Sequence, residues 1–237
     1  MKKKTLSIIK DDPWLEPFEE AIVGRHNDFL NKEKELTGEN GSLVDFANAY
    51  NYYGLHHTDK GWVLREWAPG ATEIFVIGDF NNWTECAPYK MRALDNGNWE
   101  IALPDRGMKH GDLFKLSIHW NGGQGERIPA YATRVVQDDN TKIFSAQVWN
   151  PEEKYEFKIK NFKPNVKPLL IYECHIGMAQ NREGVGTYEE FRTNILPRIA
   201  DDGYNAIQIM AIQEHPYYGS FGYHVSSFYR SEERRVG

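Results

Sequence analysis

Four side chains in the last third of the chain are of the right types for proton transfer: Glu173 and His175 in ECH, and Glu214 and His215 in QEH. A carboxylate beside an imidazole is a general acid/base combination. Both groups, however, close short apolar runs, where polar side chains commonly tie strand ends together, and a structural role is the reading adopted for all four. The aromatic content offers a different chemistry. The chain carries 7 Trp, 13 Tyr and 12 Phe in 237 residues, more rings than its cores obviously require. Core filling accounts for most of them, with Trp62, Trp67 and Trp99 lying in strand-like runs. A ring left on the surface is instead a flat apolar platform for the C–H face of a sugar. Trp67, Ala68 and Pro69 beside the turn Asp95, Asn96 and Gly97 combine a ring, short polar groups and exposed backbone. They are expected to line a shallow groove that Asn40 and Gly41 would close.

Composition narrows the partners. A net charge of -6 without a long basic run argues against a nucleic-acid surface. Hydrophobic residues at 41% and charged residues at 26% are ordinary globular values, in a length sufficient for one large or two smaller domains. No apolar run is long enough to span a membrane, and MKKKTLSIIK is too short in apolar residues for a signal peptide. The two cysteines, Cys86 and Cys174, lie far apart and read as reduced thiols, so a cytoplasmic protein is expected.

The elements that must position these residues follow from periodicity. Residues 1–54 form a helical segment after a frayed start over 1–11. Asp12-Pro13 opens a helix whose Trp14, Phe18, Ile22, Arg25 and Phe29 share one largely apolar face, expected to pack on the neighbouring domain. Gly38 to Gly41 breaks it, and Ser42 with Asp45 caps a short second helix. Over 55–156 the period becomes alternating, with GWVLREW, EIFVIGD, NWEIAL, LFKLSIHW and KIFSAQVW as strands of an all-β sandwich. Residues 157–168 read as a linker. Residues 169–229 then read as a βαβ unit. Leu169–Tyr172 is a strand buried on both faces, Thr187 with Glu190 is a capping box, Phe191, Ile195, Leu196 and Ile199 mark the helix, and Ala206–Ile212 is a second buried strand. Residues 230–237, RSEERRVG, lack periodicity and are set aside from the fold.

Three stretches together carry a resemblance. REWAPGATEIFVIGDFNNW (Arg65–Trp83) resembles the carbohydrate-binding module of isoamylases, glucan branching enzymes and glycogen-sensing kinase subunits. IYECHIG followed by GTYEEFRTNILPRIADDGYNAIQIMAIQEHPYYGSFGYHVSSFY resembles the first strand, helix and second strand of the alpha-amylase superfamily barrel. Within it, AIQEHPYYGSFGYH and the DPWLEPF helix look like the eukaryotic-type glycogen (1,4-alpha-glucan) branching enzymes, a likeness covering residues 12–229. The resemblance implies a multidomain protein: helical segment, all-β carbohydrate-binding sandwich, and the start of a TIM barrel. It implies transfer of an α-1,4-glucan segment to a 6-hydroxyl, by a retaining mechanism with a carboxylate nucleophile and a second carboxyl as acid and base. It also implies no metal or organic cofactor, and α-1,4-glucan chains as partners. The catalytic Asp and Glu would lie on later barrel strands, so no catalytic residue is assigned here and this chain alone is expected to be inactive. By resemblance Tyr223 stacks on the sugar beside the cleavage point, and Trp83 with Lys115 grips glucan by stacking and hydrogen bonding. Trp120 is a looser match for a second platform, and Lys115 is otherwise a solvated strand residue unless Trp83 is its neighbour. The alternatives are a non-catalytic glucan-binding or targeting protein, and a debranching hydrolase with the same module.

Overall fold

Pro17 decides how the helical segment begins. Asp12 accepts a hydrogen bond from Trp14 N at 3.0 Å, the expected N-cap. The ring at position 17 has no N–H to give and crowds the preceding turn, so Pro13–Phe18 is a 3-10 stretch. Ahead of it a short helix, α1 (Ser7–Asp11), with Ile9 buried, replaces the expected frayed start. After it comes α2 (Glu19–Thr37), ended by Gly38 at φ +72. Ser42 caps α3 (Leu43–Phe46), accepting from Asp45 N at 3.2 Å and donating to the Asp45 carboxylate at 2.7 Å. The expected burial of the apolar stripe is not observed: Trp14, Phe18 and Phe29 are exposed, and α2 has no buried residue. Periodicity reports that the stripe exists; what covers it is a separate matter. The computed structural model describes residues 6–39, 41–153, 155–164 and 168–231. Two compact units divide the chain, Met1–Tyr52 and Tyr53–Gly237.

Alternating strands build the front of the second unit. One antiparallel sheet has β1 (Gly54–Thr58), β2 (Gly61–Trp67), β4 (Arg92–Ala93) and β5 (Asn98–Leu103) in the order β1-β2-β5-β4. The other has β3 (Ala71–Gly78), β6 (Leu113–Trp120), β7 (Gly123–Arg127), β8 (Val135–Gln137) and β9 (Phe144–Gln147), ordered β3-β6-β9-β8 with β7 on β6. Their inner faces meet in one core that includes Trp62, Leu64, Ile101 and Leu103 from the first sheet and Ile74, Val76, Phe114 and Leu116 from the second. With a period of two, the opposite residues of β6 (Lys115, Ser117, His119) fall on the outer face. Also buried is Glu66, only 6% exposed. Burial pushes its carboxyl up, against hydrogen bonds from Ala130 N and Trp67 N at 2.8 and 2.9 Å.

Residues 157–164 carry no regular element, and Phe157, Ile159 and Phe162 are exposed. Beyond them β10 (Ile171–Cys174) pairs in parallel with β11 (Ala206–Ile209), Ile171 facing Ala206. The crossover helix spans 188–201 and starts at the capping box: Thr187 Oγ1 accepts from Glu190 N at 3.1 Å and Glu190 accepts from Thr187 N at 2.8 Å. Its middle, Phe191–Ile195, is a π turn. Pro197 explains it, because an α-helical carbonyl one turn back would meet the proline ring. Gly203, at φ +93, terminates the helix. Cys174, Ile176, Phe191 and Ile199 form a second small core with Ile207 against it.

Three expectations change in this region. The first strand begins two residues later than expected, and Leu169, Leu170 and Ile171 are exposed instead of buried on both faces. Each strand has a single neighbour, so only one edge and part of one face are covered. The second strand stops at Ile209, because Ala211 turns into the left-handed region (φ +48) where Gly222 packs against it. Finally, β12 (Gln213–Glu214) pairs antiparallel with β13 (Ser227–Ser231), a ladder that draws Arg230 and Ser231 out of the expected tail and into a strand. The rest of that tail lies outside the described residues.

Candidate functional site

Five residues after β3 hold Trp83 on the surface. Asn81 Oδ1 accepts from Gly78 N and Asn81 Nδ2 donates to Val76 O, both at 2.9 Å, closing a tight loop. Gly78 is required there, since a Cβ would lie 2.3 Å from Leu113 O. Asn82 and Trp83 are both in the left-handed region, at φ 53 and 57, which costs energy for a non-glycine residue and turns the indole outward. Asp79 then fixes the ring: one carboxylate oxygen accepts from Trp83 Nε1 at 3.0 Å, the other from Leu113 N at 2.7 Å. The indole is 37% exposed.

Lys115 is the neighbour that its alternative reading required. Its ammonium lies 6.0 Å from the centroid of the Trp83 ring, at the limit of a cation–π contact. It is 13% exposed and bonded to Glu126 at 2.8 Å, so it is not a freely solvated lysine. Farther along the same face, Ser117 Oγ donates to Glu85 at 2.6 Å and His119 Nε2 lies 2.8 Å from the same oxygen. The Ser117 hydrogen bond, then His119, holds the Glu85 carboxyl below the usual range. Trp120 is partly exposed with Arg127 over its ring at 5.7 Å.

The second patch is also assembled. Trp67 is 57% exposed, and its Nε1 donates to Asn96 O at 3.0 Å. Ala68 N donates to Gly97 O at 2.9 Å, and Ala68 O accepts from Trp99 Nε1 at 3.0 Å. Gly97 (φ +77) packs so closely on Pro69 that a Cβ would sit 2.6 Å from the proline Cβ. Asp95 O accepts from Asn98 Nδ2 at 2.9 Å, fixing the far side of the turn. Trp67 is therefore a surface ring and not a core one, whereas Trp62 and Trp99 are buried. Asn40 lies outside the described residues, and Gly41 packs against Thr37 O in the other compact unit. The groove closure assigned to this pair stays an expectation.

Tyr223 is 66% exposed at the end of a turn in which its N–H donates to Ser220 O at 3.1 Å. Phe221 and Gly222 before it are both at positive φ. The four proton-transfer candidates lie in or just past the short strands β10 and β12. Glu173 accepts from Gln208 at 2.9 Å and His175 Nε2 lies 2.8 Å from Phe221 O. Glu214 and His215 are buried, with Glu214 O accepting from Ser226 N at 2.8 Å and His215 Nδ1 lying 3.0 Å from Gln213 O. Two cavities, of about 200 and 250 Å³, are lined by Val135, Phe144 and Pro216 and by Gln180, Arg182 and Asn194 respectively. Neither of these two includes Trp83, Trp67 or Tyr223, whose rings are exposed. Among the described residues no group of three or more His, Cys, Asp or Glu is arranged to hold a metal ion, and no helix is long and apolar enough to cross a membrane.

Sequence reasoning missed Asp79 as the clamp of Trp83, and Glu126 as the partner of Lys115. Asn121-Gly122 carried the missing signal for the second. That two-residue turn sets Trp120 opposite Gly123, which counts Ser117 onto Glu126 and puts the carboxylate diagonal to Lys115.

The sandwich presents fixed surface indoles beside charged hydrogen-bonding groups, and its residues 52–132 match carbohydrate-binding module 48, the isoamylase N-terminal domain. Over nearly its whole length, in addition, the chain is similar to 1,4-alpha-glucan-branching enzymes of eukaryotes. It is 43% identical to that of Yarrowia lipolytica over 97% of this chain and 34% of the relative. It is 39% identical to that of Dictyostelium discoideum, over 96% and 34%. The chain thus spans about a third of the length of the curated relatives it matches. Solved alpha-glucan enzymes share the fold at lower identity. Pullulanase type I from Bacillus subtilis, complexed with maltose, superposes with a TM-score of 0.59 at 18% identity over 80% of this chain and 30% of that one. The catalytic module of the pneumococcal glycogen-degrading SpuA gives 0.57 at 18%, over 86% and 34%.

Proposed function

We propose that this chain is the glucan-binding front of a 1,4-alpha-glucan branching enzyme, which moves an α-1,4-glucan segment onto a 6-hydroxyl to create α-1,6 branches in glycogen. One observation carries the reading: the likeness to branching enzymes covers 97% of this chain, and so takes in both the sandwich and the βαβ unit. A module borrowed by an unrelated protein would match over 52–132 and then stop. In this reading residues 1–54 are an N-terminal helical segment, 55–156 the carbohydrate-binding module, 157–168 a linker and 169–229 the first βαβ part of a TIM barrel.

The roles follow from chemistry. Trp83 and Trp67 are stacking platforms, Lys115 donates to sugar hydroxyls, and the Asp95-Asn96-Gly97 turn with Ala68 and Pro69 shapes the groove beside Trp67. Tyr223, at the end of the βαβ unit where barrel enzymes hold substrate, stacks on the sugar nearest the reaction. Retaining transfer needs two carboxyl groups about 5–5.5 Å apart across the scissile bond. We assign neither to these residues: the Glu173 carboxylate accepts from Gln208 on the paired strand, and Glu214 is buried in the β12–β13 ladder. The chain is accordingly a binder of α-1,4-glucan that does not branch it. The free thiols Cys86 and Cys174 favour the cytoplasm.

Two measurements test this. Calorimetric titration of the chain with maltoheptaose should show saturable binding. An iodine-stain assay on amylose should show no branching, and branching activity in this chain would sink the division of roles. A non-catalytic glycogen-targeting protein is the second reading, favoured by the completeness of the Trp83 face within one sandwich. A messenger encoding barrel strands with Asp and Glu at their ends would decide for the enzyme.

A further inference from the structure

The ion pair beside Trp83 has more capacity than its own bond uses. Lys115 and Glu126 meet at 2.8 Å, the lysine 13% exposed and the glutamate 53% exposed. An ionised carboxylate offers about four acceptor positions and an ammonium three donors, so one mutual bond leaves both able to make more. The lysine is largely buried on the outer face of β6, its ammonium facing the Trp83 ring at 6.0 Å. The carboxylate thus lies beside the lysine that faces the indole, a ring that Asp79 already holds in place. A glucose unit lying with its C–H face on the ring has its hydroxyls at its edge. Two of them, on neighbouring carbons, can both donate to one carboxylate, which gives paired charge-assisted bonds.

We propose that Glu126 is a sugar-contacting, specificity-determining residue: its carboxylate accepts hydrogen bonds from the 2- and 3-hydroxyls of the glucose unit on Trp83, while Lys115 holds it in register. This rests on the reading of the Trp83 face as a glucan site. The register supports it independently, because Glu126 stands directly opposite Ser117 and diagonal to Lys115 on the same outer face. Glu126 thus sets a requirement for unblocked hydroxyls that stacking alone does not impose. A bare indole accepts any apolar sugar face, whereas a carboxylate that the bound sugar covers penalises a ligand that cannot donate to it.

The test is a coupling experiment on the full 237-residue chain. Calorimetric dissociation constants are measured for β-cyclodextrin and for its 2,6-di-O-methyl derivative, whose 2-hydroxyls are blocked. They are compared in the unaltered chain, Glu126→Gln, Glu126→Asp and Trp83→Ala. The expected result is about tenfold weaker binding of β-cyclodextrin by Glu126→Gln, with a smaller loss in Glu126→Asp. The unaltered chain should also bind the methylated ring about tenfold more weakly, a penalty that disappears in Glu126→Gln. A merely structural glutamate would weaken both ligands alike and leave that penalty in place, which overturns the assignment. Equal or tighter binding of β-cyclodextrin by Glu126→Gln also overturns it, since it would mean the carboxylate only competes for Lys115. Should Trp83→Ala bind as well as the unaltered chain, the glucan-face reading itself falls. Loss in Trp83→Ala without any effect at Glu126 refutes only the role given to Glu126.

Discussion

Replacing Trp83 with Ala isolates what the surface indole contributes to glucan binding. The ring is 37% exposed. For a side chain presenting about 250 Å² this leaves roughly 90 Å² for a ligand. At about 25 cal/mol per Å² full coverage of that area is worth about 2 kcal/mol, and coverage of one face about half as much. The loss on truncation is therefore about five- to thirtyfold in dissociation constant. Stability should respond less, because the left-handed backbone at 83 is as strained for Ala as for Trp. The indole bond to Asp79 disappears, but Asp79 keeps its bond from Leu113 N at 2.7 Å. A loss of about 1 kcal/mol, or a few degrees in melting temperature, is expected. Titration with maltoheptaose gives the affinity and differential scanning calorimetry gives the stability. Unchanged affinity with an intact melting transition would refute the assignment of Trp83 as the platform.

Gly97→Ala should disturb the other patch at its root, since the position has φ +77 and a Cβ would meet Pro69 at 2.6 Å. A loss of about 1–3 kcal/mol is expected, together with changed Trp67 emission; an unaltered melting curve and spectrum would count against the close packing described for this turn. Arg182 and the Thr187 amide hold Glu190 down to about 2. A carboxyl lowered on folding adds stability above its unfolded value of about 4.3, and that part is lost as pH falls toward 2. Glu190→Gln should flatten the acid side of the stability profile of the βαβ unit, and identical profiles would contradict the capping account. Ending the chain after Asn161 removes the exposed apolar residues Leu169, Leu170, Ile171 and Ile209, so that shorter form should stay soluble at higher concentration. Equal solubility of the two would show that these residues are not the cause of association.

Most of the β-sandwich could be read from the chain because strand period is local: GWVLREW, NWEIAL and LFKLSIHW are strands with the boundaries expected of them. Capping was legible for the same reason, in Asp12, Ser42 and the Thr187–Glu190 pair, where donor and acceptor are within three residues. Pairings across greater distances were not. The β12–β13 ladder and the Glu66 bond to Ala130 join residues that no local rule brings together, while the meeting of Lys115 with Glu126 follows only once the register of the Asn121-Gly122 hairpin is counted out. Exposure was only half legible: Trp62 and Trp67 sit five residues apart in one strand, an odd spacing that sets them on opposite faces, but the second sheet decides which face is core.

The sequence by itself determined which segments would be helix or strand, and supplied the wording that resembles a glucan-branching family. Both are written in neighbouring residues, through steric preference in the one case and motif order in the other. Tertiary structure alone decided which rings face solvent and which charged groups stand beside them. A ring's surroundings come from strands that cross over it from elsewhere in the chain. The Trp83 face is one such case, held by Asp79 from its own loop but completed by Lys115 and Glu126 from a hairpin more than thirty residues away.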